Sequence, residues 1–483
     1  MSRHISRRNF IKLATAAGGA TIIGFDLRER SWVMQAQAQT RSFQDVPKLD
    51  GVLLFDEATR KAIAIDRGNV YHRIPAAVLR PGSVQDVVKM VRYANQHSFK
   101  IAVKGQAHSY YGQTQAEAGI VIDSGSLNAV QVPTSDSVDA QPGAVLGQVA
   151  AAALAKNLTP PVLPECMMLS IGGTLNAGGL GTTSHHYGAL VDNVTELDVV
   201  TGDGRLVTCS PDRESELFNM LLAGMGQCGI ILRARMRLVP LPSHALLHDL
   251  VYGDLEKYIV DQTRVATDGR FDHQYGFATR KADGAWSFTM QVGKFFTPAD
   301  APNLAALEQG LRFDSKAEPV RMTALDYLYR SAAQGAAAMS DSRPAASVTM
   351  WIPASATKDF VASILALPPK LAGFDRFSFW PLNTRRFTRP LFKVPTEEHA
   401  FSVWLRRRAP PDDQAALAAM ATSTRELLTN LAAIGGKRYG PFSPVILQGE
   451  GLAHYGADVW RRFSEAKKKF DPNYVLAPEA AKF

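Results

Sequence analysis

The chain has 483 residues, enough for two or three packed domains, and its 46% hydrophobic and 20% charged residues exclude a disordered, collagen-like or coiled-coil protein. The net charge of +8 falls to +4 without residues 1–38, which hold six Lys/Arg and two Asp/Glu. No basic run is interleaved with aromatic residues, so the composition indicates a folded protein that binds no nucleic acid.

The first 38 residues carry three features of an export signal. Arg7 and Arg8 precede a weakly apolar run over 13–25, and Ala36-Gln37-Ala38 follows it. This order resembles a twin-arginine signal peptide with a small-residue cleavage site. The apolar run is too short to span a bilayer, and no later segment is long and apolar enough to do so. We therefore expect a protein that engages the twin-arginine export machinery, is not membrane-spanning, and is periplasmic or secreted.

Short strands and amphipathic helices alternate after about residue 70. Ser83, with Asp86 three residues later, has the spacing of a capping box and predicts the start of a helix with a buried valine stripe. The apolar runs at 101–103 and 119–123 predict buried strands on either side of a polar loop.

The pattern changes further along the chain. The Gly202-Asp203-Gly204 turn predicts a hairpin, and therefore a mixed sheet, because glycine accepts positive φ. From about 246 to 435, longer strands of alternating polarity and Ala-rich helices indicate a further domain. A last helix is predicted around 460–469.

Two glycine-rich loops are candidates for binding an anion. They span 104–113 and 172–181, and each would expose successive backbone N–H groups. No G-x-G-x-x-G opens a first helix, so a Rossmann-type dinucleotide site lacks its fingerprint. Glycine-rich turns also serve as tight connections, so these loops alone do not decide between a pyrophosphate site and a structural role.

A series of motifs in fixed order carries a family resemblance. The motifs are Pro75 to Ser83, Gly105 to Gln113, Gly172 to Gly181, Glu196 to Gly202, Gly226 to Ile231, Met350 to Pro353, Trp380 to Leu382, His454 to Gly456, Trp460, Phe463 and Phe470 to Pro472. In this order they resemble the FAD-linked oxidoreductases of the vanillyl-alcohol-oxidase superfamily, and most of all the cytokinin dehydrogenases. The resemblance covers nearly all of the chain after the signal, and motif order over that length is specific.

The resemblance implies an α+β fold with a PCMH-type FAD-binding domain of two subdomains and an antiparallel-sheet cap domain that binds substrate. With the changes of sequence pattern, it places the signal at 1–38 and the FAD-binding domain at 39–245. The cap domain follows at 246–435, and residues 436–483 return to the FAD-binding domain.

The resemblance also implies which residues bind the cofactor. His108 falls on the histidine that bonds the 8α-methyl carbon of FAD, and a tethered flavin suits an exported protein because it cannot diffuse away. The other residues on FAD-lining positions are Lys104, Gly105, Gln106, Ala107, Ser109, Gln113, Cys166, Ser170, Gly173, Thr174, Asn176, Leu180, Ile231 and Tyr439.

Three further positions bear on catalysis and substrate choice. The family's catalytic aspartate falls on Glu165, which keeps the carboxylate; an exposed loop glutamate is the alternative. Tyr275 stands where cytokinin dehydrogenases have a glutamate that contacts the adenine, which leaves substrates other than cytokinin open. Trp351 is predicted to form a wall of the substrate pocket, with a core aromatic residue as the alternative.

The cysteines and the histidine pair are interpreted more simply. Cys166 has the spacing of the cysteine that bonds the flavin 6-carbon in berberine-bridge-type enzymes, but its local sequence differs. We therefore favour a free buried thiol over a second covalent bond. Cys209 and Cys228 are predicted to be core residues. His185-His186 has no Cys, Asp or Glu cluster to complete a metal site, so we predict loop residues and no metal.

Together these observations predict an FAD-linked oxidase or dehydrogenase. It would transfer a hydride from a C–H next to an amine or hydroxyl of a small-molecule donor to flavin N5, with oxygen or a quinone-like compound as electron acceptor. Cytokinin is the first substrate hypothesis. The alternatives are a berberine-bridge-type oxidase of alcohols or sugars and, in a different class, a secreted flavin-binding protein without turnover.

Overall fold

The computed structural model of the protein describes residues 22–26, 31–34, 43–333, 340–447 and 449–481. The chain divides into two compact units, residues 1–48 and 49–483. In the first unit, the strands Ile22–Asp26 and Ser31–Met34 pair antiparallel. The twin-arginine motif and the cleavage site lie outside the described residues, so the export signal stays a prediction. Within the described ranges, no helix combines the length and the hydropathy needed to cross a membrane.

The second unit opens with a four-stranded sheet, here called the first sheet. Its strands lie in the order Val52–Leu54, Ala77–Arg80, Ile120–Asp123 and Ile101–Lys104. The last three are parallel, so a crossover is needed between Ala77–Arg80 and Ile101–Lys104. The helix Val84–His97 provides this crossover and buries its valine stripe, as the sequence predicted.

The start of this helix differs from the prediction in its capping. Ser83 is the N-cap residue, but its hydroxyl donates to Asp50 Oδ2 at 2.6 Å rather than to the helix. Asp86 accepts hydrogen bonds from the N–H groups of Asp50 and Gly51 at 2.9 and 2.7 Å. The predicted capping box is therefore wrong, because both side chains tie the helix to the segment before the first sheet.

A second sheet is wholly antiparallel. Its strands lie in the order Leu206–Cys209, Val194–Thr201, Gly229–Arg237 and Ser137–Ala140. The predicted hairpin is confirmed, since Leu206 pairs with Val200 and Gly204 adopts a φ of 83° in the turn. Cys209 and Cys228 are buried in the core here, as expected.

The third sheet, here called the cap sheet, has nine strands, and all of its pairings are antiparallel. This confirms the expected antiparallel cap domain. The strands lie in the order Ser315–Lys316, His244–Tyr252, Trp286–Phe296, His273–Arg280, Arg376–Asn383, His399–Leu405, Val348–Pro353 and Lys437–Arg438, with Val320–Thr323 also paired to His244–Tyr252.

One face of the cap sheet is apolar and is covered by helices. Side chains alternate across a strand, so Phe377 and Phe379 lie on one face and Ser378 and Trp380 on the other. The apolar face packs in a core cluster with Tyr258, Leu427 and other residues of the covering helices. These helices are Leu255–Asp268, Thr357–Leu365 and Gln414–Ala433. The opposite face is left to form one wall of a cavity.

The C-terminal part of the chain returns to the first sheet. The predicted last helix is confirmed as Ala457–Phe470, preceded by Glu450–Tyr455. Ile101 N donates to the carbonyl of Val475 at 2.7 Å, and Ala477 N donates to the carbonyl of Ile101 at 2.8 Å. The remaining helices of four or more residues are Glu57–Ile63, Leu146–Leu154, Ile171–Ala177, Ser184–Tyr187, Ser215–Leu221, Leu304–Glu308, Ala324–Tyr329 and Pro369–Ala372, and the short strands Leu158–Thr159 and Val239–Pro240 pair with each other.

Candidate active site

A cavity of about 590 Å³ lies between the glycine-rich loops and the cap sheet. This is within the usual size of a cofactor or substrate site. The structure brings most of the predicted site residues to its walls. They are Gly105, Gln106, Ala107, His108, Ser109, Gln113, Glu165, Cys166, Ser170, Gly173, Thr174, Asn176, Leu180, Ile231, Tyr275 and Tyr439.

Lys104 is a predicted cofactor residue that does not reach the cavity. It ends the strand Ile101–Lys104 and is buried, and its ammonium donates to the backbone carbonyls of Ile63 and Ile65. Burial lowers the pKa of Lys104 to about 8. Contrary to the prediction, the Lys104 side chain therefore does not reach the cavity and instead supports the loop from behind.

Trp351 also differs from the prediction that it forms a wall of the substrate pocket. Its side chain is 1% exposed and lies in the core rather than on the cavity wall. Its ring packs 4.7 Å from that of Phe392 and 5.5 Å from that of Tyr439, measured between centroids. Tyr439 stands between the tryptophan and the cavity surface, so the core alternative is the one observed.

The loop 105–109 is shaped for close approach by another group. Ala107 adopts a φ of 55°, which costs a non-glycine residue energy and turns the chain sharply just before His108. The predicted second glycine-rich loop is largely helical, because Ile171–Ala177 forms an α-helix with Ser170 as its N-cap residue. A Cβ on Gly105 would lie 2.1 Å from Ser170 Oγ, so the first loop can approach the start of this helix only because residue 105 has no side chain. Because Gly105 has no side chain, the backbone of the loop 105–109 stays exposed at this wall of the cavity.

His108 is half-buried at the cavity wall, with its ring 5.8 Å from that of Phe442. Its Nδ1 atom is buried and has no hydrogen-bond partner among the described residues. Burial lowers the pKa of His108 to about 4, and the positive charges of Arg67 and Arg406 act in the same direction. The imidazole is therefore neutral near pH 7 and keeps a free lone pair.

Two amide side chains direct acceptors into the same space. Gln113 Nε2 donates to the carbonyl of Gly440 at 2.9 Å, and Asn176 Nδ2 donates to that of Gly172 at 2.8 Å. The opposite oxygens, Gln113 Oε1 and Asn176 Oδ1, are buried without partners in the described part of the chain. Buried polar atoms are normally paired, so these oxygens indicate a ligand with N–H or O–H donors. A flavin nucleotide has such groups, and this wall fits it.

Glu165 faces the cavity from a connecting segment and is held from behind. Its Oε1 accepts a hydrogen bond from Arg330 Nη2 at 2.8 Å, and its backbone oxygen accepts one from the Ser331 hydroxyl at 2.8 Å. The Arg330 guanidinium lies 4.2 Å from the centroid of the Tyr327 ring, which fixes its direction. The carboxylate, whose side chain is 32% exposed, is therefore oriented but still accessible.

The cap sheet supplies an aromatic and polar wall. The Tyr275 hydroxyl lies 2.6 Å from Ser378 Oγ, and the Tyr275 ring lies 4.9 Å from that of Trp380. Burial raises the pKa of Tyr275 to about 12, so its hydroxyl stays protonated. Trp404 stacks on Phe442 at 5.1 Å with an interplanar angle of 9°. This wall suits a flat, ring-containing ligand.

Among the residues of this wall that the sequence did not predict, four share one feature. They are Thr349, Trp380, Ser402 and Trp404, which line the cavity and each have a buried side-chain donor without a partner among the described residues. Trp380 lies inside a motif that carried the resemblance, and Thr349 lies two residues before Trp351 on the same strand face. The sequence shows this alternation, but only the structure shows that Tyr439 covers Trp351 and leaves Thr349 at the cavity.

The structure also shows where Cys166 and the pair His185-His186 lie. Cys166 is a free thiol that lines the cavity. His185 and His186 lie in the short helix Ser184–Tyr187 rather than in a loop, and their Nε2 atoms lie 3.1 and 2.9 Å from the carbonyl of Phe271. Among the described residues, no group of three or more His, Cys, Asp or Glu could hold a metal.

Comparisons with known proteins agree with this arrangement. Residues 75–210 match the model of an FAD binding domain, and residues 320–483 match that of the FAD and cytokinin binding region of cytokinin dehydrogenase 1. An uncharacterised oxidoreductase of the fasciation locus of Rhodococcoides fascians is 32% identical over 435 residues, which span 89% of this chain and 98% of that protein. The chain belongs to the cytokinin-dehydrogenase-like FAD-dependent oxidoreductases.

Further comparisons are consistent with membership of this family of oxidoreductases. Cytokinin dehydrogenase 4 of Oryza sativa subsp. japonica is 29% identical over 479 residues, covering 89% of this chain and 90% of that one. The crystal structure of 6-hydroxy-D-nicotine oxidase from Arthrobacter nicotinovorans superposes with a TM-score of 0.69 at 21% identity, covering 90% of this chain and 98% of that one, and so shares the fold. The protein is accordingly an FAD-linked oxidase or dehydrogenase with an α+β fold.

Proposed function

We propose that the enzyme carries FAD covalently on His108 and removes a hydride from a C–H next to an amine or hydroxyl, with Glu165 as the base. One observation carries this proposal: a neutral histidine, whose buried Nδ1 has no partner among the described residues, and an oriented carboxylate line the same cavity. When bound, FAD supplies the hydride acceptor.

The chain's own groups have separable roles. His108 Nδ1 is an uncharged nitrogen that could hold the flavin, with Gln113 and Asn176 as acceptors for ring or ribityl donors. Removing a hydride next to N–H or O–H builds positive charge on the donor, and the Glu165 carboxylate could bind that group and accept its proton. Arg330 keeps this carboxylate directed to the cavity.

The cap-sheet wall favours a planar donor. Tyr275 and Trp380 offer aromatic rings to such a donor, whereas the Trp404 ring already packs against Phe442 and Arg406. Cytokinin is therefore the first substrate to test, with other amines and alcohols as alternatives because Tyr275 replaces the glutamate of cytokinin dehydrogenases. Oxygen or a quinone-like compound would complete the cycle as electron acceptor.

The decisive experiment is anaerobic mixing of the purified holoprotein with a panel of amines, alcohols and sugars while the flavin absorbance is recorded. We expect at least one amine, cytokinin first, to bleach the flavin. A protein that remains fully oxidised with every donor would instead be a flavin-binding protein without turnover. Reoxidation in air, compared with reoxidation by a soluble quinone, would then identify the acceptor.

We also propose export through the twin-arginine machinery to the periplasm or medium. The support is the sequence alone: Arg7 and Arg8, the apolar run and the small-residue site. Replacing both arginines by lysine keeps the charge and should retain the protein inside the cell, as measured by fractionation. Export of the double variant at the normal level would contradict the proposal.

A further inference from the structure

We propose that the donor carries an anionic group, a carboxylate or a phosphate, which binds arginines that line the cavity: Arg67 in its wall, and Arg376 and Arg406 at its mouth. This inference rests on the proposed function and narrows it: among the amines and alcohols that the same cavity accepts, donors with an acidic substituent are preferred to an uncharged cytokinin. Of the described residues that line the cavity, these three are its cationic side chains.

The acidic residues of the cavity wall do not neutralise these arginines. Glu165 is paired with Arg330 at 2.8 Å, and Asp375 lies 3.9 Å from Arg280, and neither of those arginines lines the main cavity. Each of these two carboxylates is therefore paired with an arginine that does not line the cavity. Arg67, Arg376 and Arg406 are left as uncompensated positive charge.

Arg67 is the most informative of the three. It is 7% exposed, and no hydrogen bond or ion pair links its guanidinium to another described residue. A buried charge is costly unless it is paired, so a guanidinium kept at a cavity wall without a partner indicates an anionic ligand. The positive charges of Arg67 and Arg406 both lower the pKa of His108, so both lie within electrostatic range of this residue.

Arg376 and Arg406 form the outermost row of the cap sheet. Ser378 pairs with Trp404 across two antiparallel strands. Arg376 lies two residues before Ser378 and Arg406 two residues after Trp404, so both arginines lie at the same end of this pair and on the same face. Exposure rises along this face from buried Ser402 through half-buried Trp404 to exposed Arg406. The arginines therefore stand at the entrance, outside the aromatic wall.

Both guanidinium groups are held by ring faces rather than by acids. Arg376 lies 3.6 Å from the centroid of Phe277, and Arg406 lies 4.3 Å from that of Trp404. A guanidinium stacked on a ring keeps its N–H edge available, and that edge matches the two oxygens of a carboxylate or phosphate. A ring-shaped donor between the aromatic side chains would thus present an acidic substituent to the arginines.

The test is equilibrium binding of three ring probes to the yellow, oxidised holoprotein: benzoate, phenyl phosphate and neutral benzamide. We expect benzoate or phenyl phosphate to bind at least about 10-fold more tightly than benzamide, the gain of one charge-assisted hydrogen-bonded pair. Comparison of the two anions distinguishes a carboxylate donor from a phosphate donor. The preference should shrink at high ionic strength.

Variants separate this inference from general charge effects. Arg376→Gln and Arg406→Gln should each reduce the anion preference and leave benzamide affinity unchanged, while Arg237→Gln, at an exposed arginine away from the cavity, should keep it. Anions that bind no more tightly than benzamide, or a preference that survives the Arg376→Gln/Arg406→Gln double variant, would overturn the inference. The proposed function fails differently, through loss of flavin or absence of any reducing donor.

Discussion

The two walls of the cavity are built in different ways. The cofactor wall comes from two contiguous segments, the loop 105–109 and the residues 170–180 that include the helix Ile171–Ala177. With Gln113, its buried side-chain atoms without a partner among the described residues are two amide oxygens and a neutral nitrogen. The cap wall comes from single residues on four strands that pair across long stretches of sequence, and it presents rings and arginines. The difference indicates that one wall is fixed for a constant ligand, whereas the other can change donor specificity one residue at a time.

The largest expected effect is on the cofactor wall. His108→Ala removes the only nitrogen proposed to bond the flavin, so colour that survives acid precipitation in the wild type should be lost completely from the pellet. Absorbance of pellet and supernatant measures this. Wild-type flavin that washes out under acid would show that the attachment is not covalent.

Glu165→Gln should be next in size. It keeps the side chain's shape but cannot accept a proton, so anaerobic flavin reduction by a true donor should slow by about 100-fold or more. Flavin content should not change, since the cofactor wall is intact. Glu165→Asp, which keeps the acid, is the matched control and should retain most of the rate. Equal rates in the wild type and the Gln variant would exclude Glu165 as the base.

Thr349→Val probes the cap wall alone. The buried hydroxyl has no partner among the described residues, so its loss should not lower thermal stability, but donor affinity should fall by about 5-fold if the hydroxyl bonds the donor. Ser347→Ala is the control, because Ser347 is also buried and unpartnered in that range but does not line the cavity. Loss of flavin from Thr349→Val would contradict the separation of the two walls.

The smallest effect is expected at Cys166. If it is a free thiol, Cys166→Ser should leave the acid-stable colour unchanged, and peptide mass spectrometry of the wild type should find flavin on the His108 peptide alone. A flavin that links the His108 and Cys166 peptides would instead place the enzyme with the berberine-bridge-type oxidases.

The residues that the sequence predicted for the cofactor reach the cavity, with one exception, for a physical reason. They stand in short local motifs, such as those of Gly105, His108 and Asn176, which can be recognised without knowing the fold. The exception, Lys104, has the right position but points to the carbonyls of Ile63 and Ile65, which only the folded chain shows.

The cap wall was less predictable because its members are brought together by strand register. Trp351 and Thr349 share a strand face, yet Tyr439 covers one and leaves the other at the cavity. The partners of Asp86 likewise come from residues 50 and 51, which the local capping pattern could not reveal. Arg67 stands in no motif, and its proposed role depends on the absence of a partner for its guanidinium among the described residues, which the sequence does not reveal.

The return of residues 475–477 to the first sheet has a consequence for biosynthesis. Leu476 and Ala477 line the cavity, and their backbone pairs with Ile101, so an early strand and a very late segment must meet before this wall exists. An incomplete chain that stops before residue 475 therefore lacks part of the cavity wall, whatever has already folded before that point.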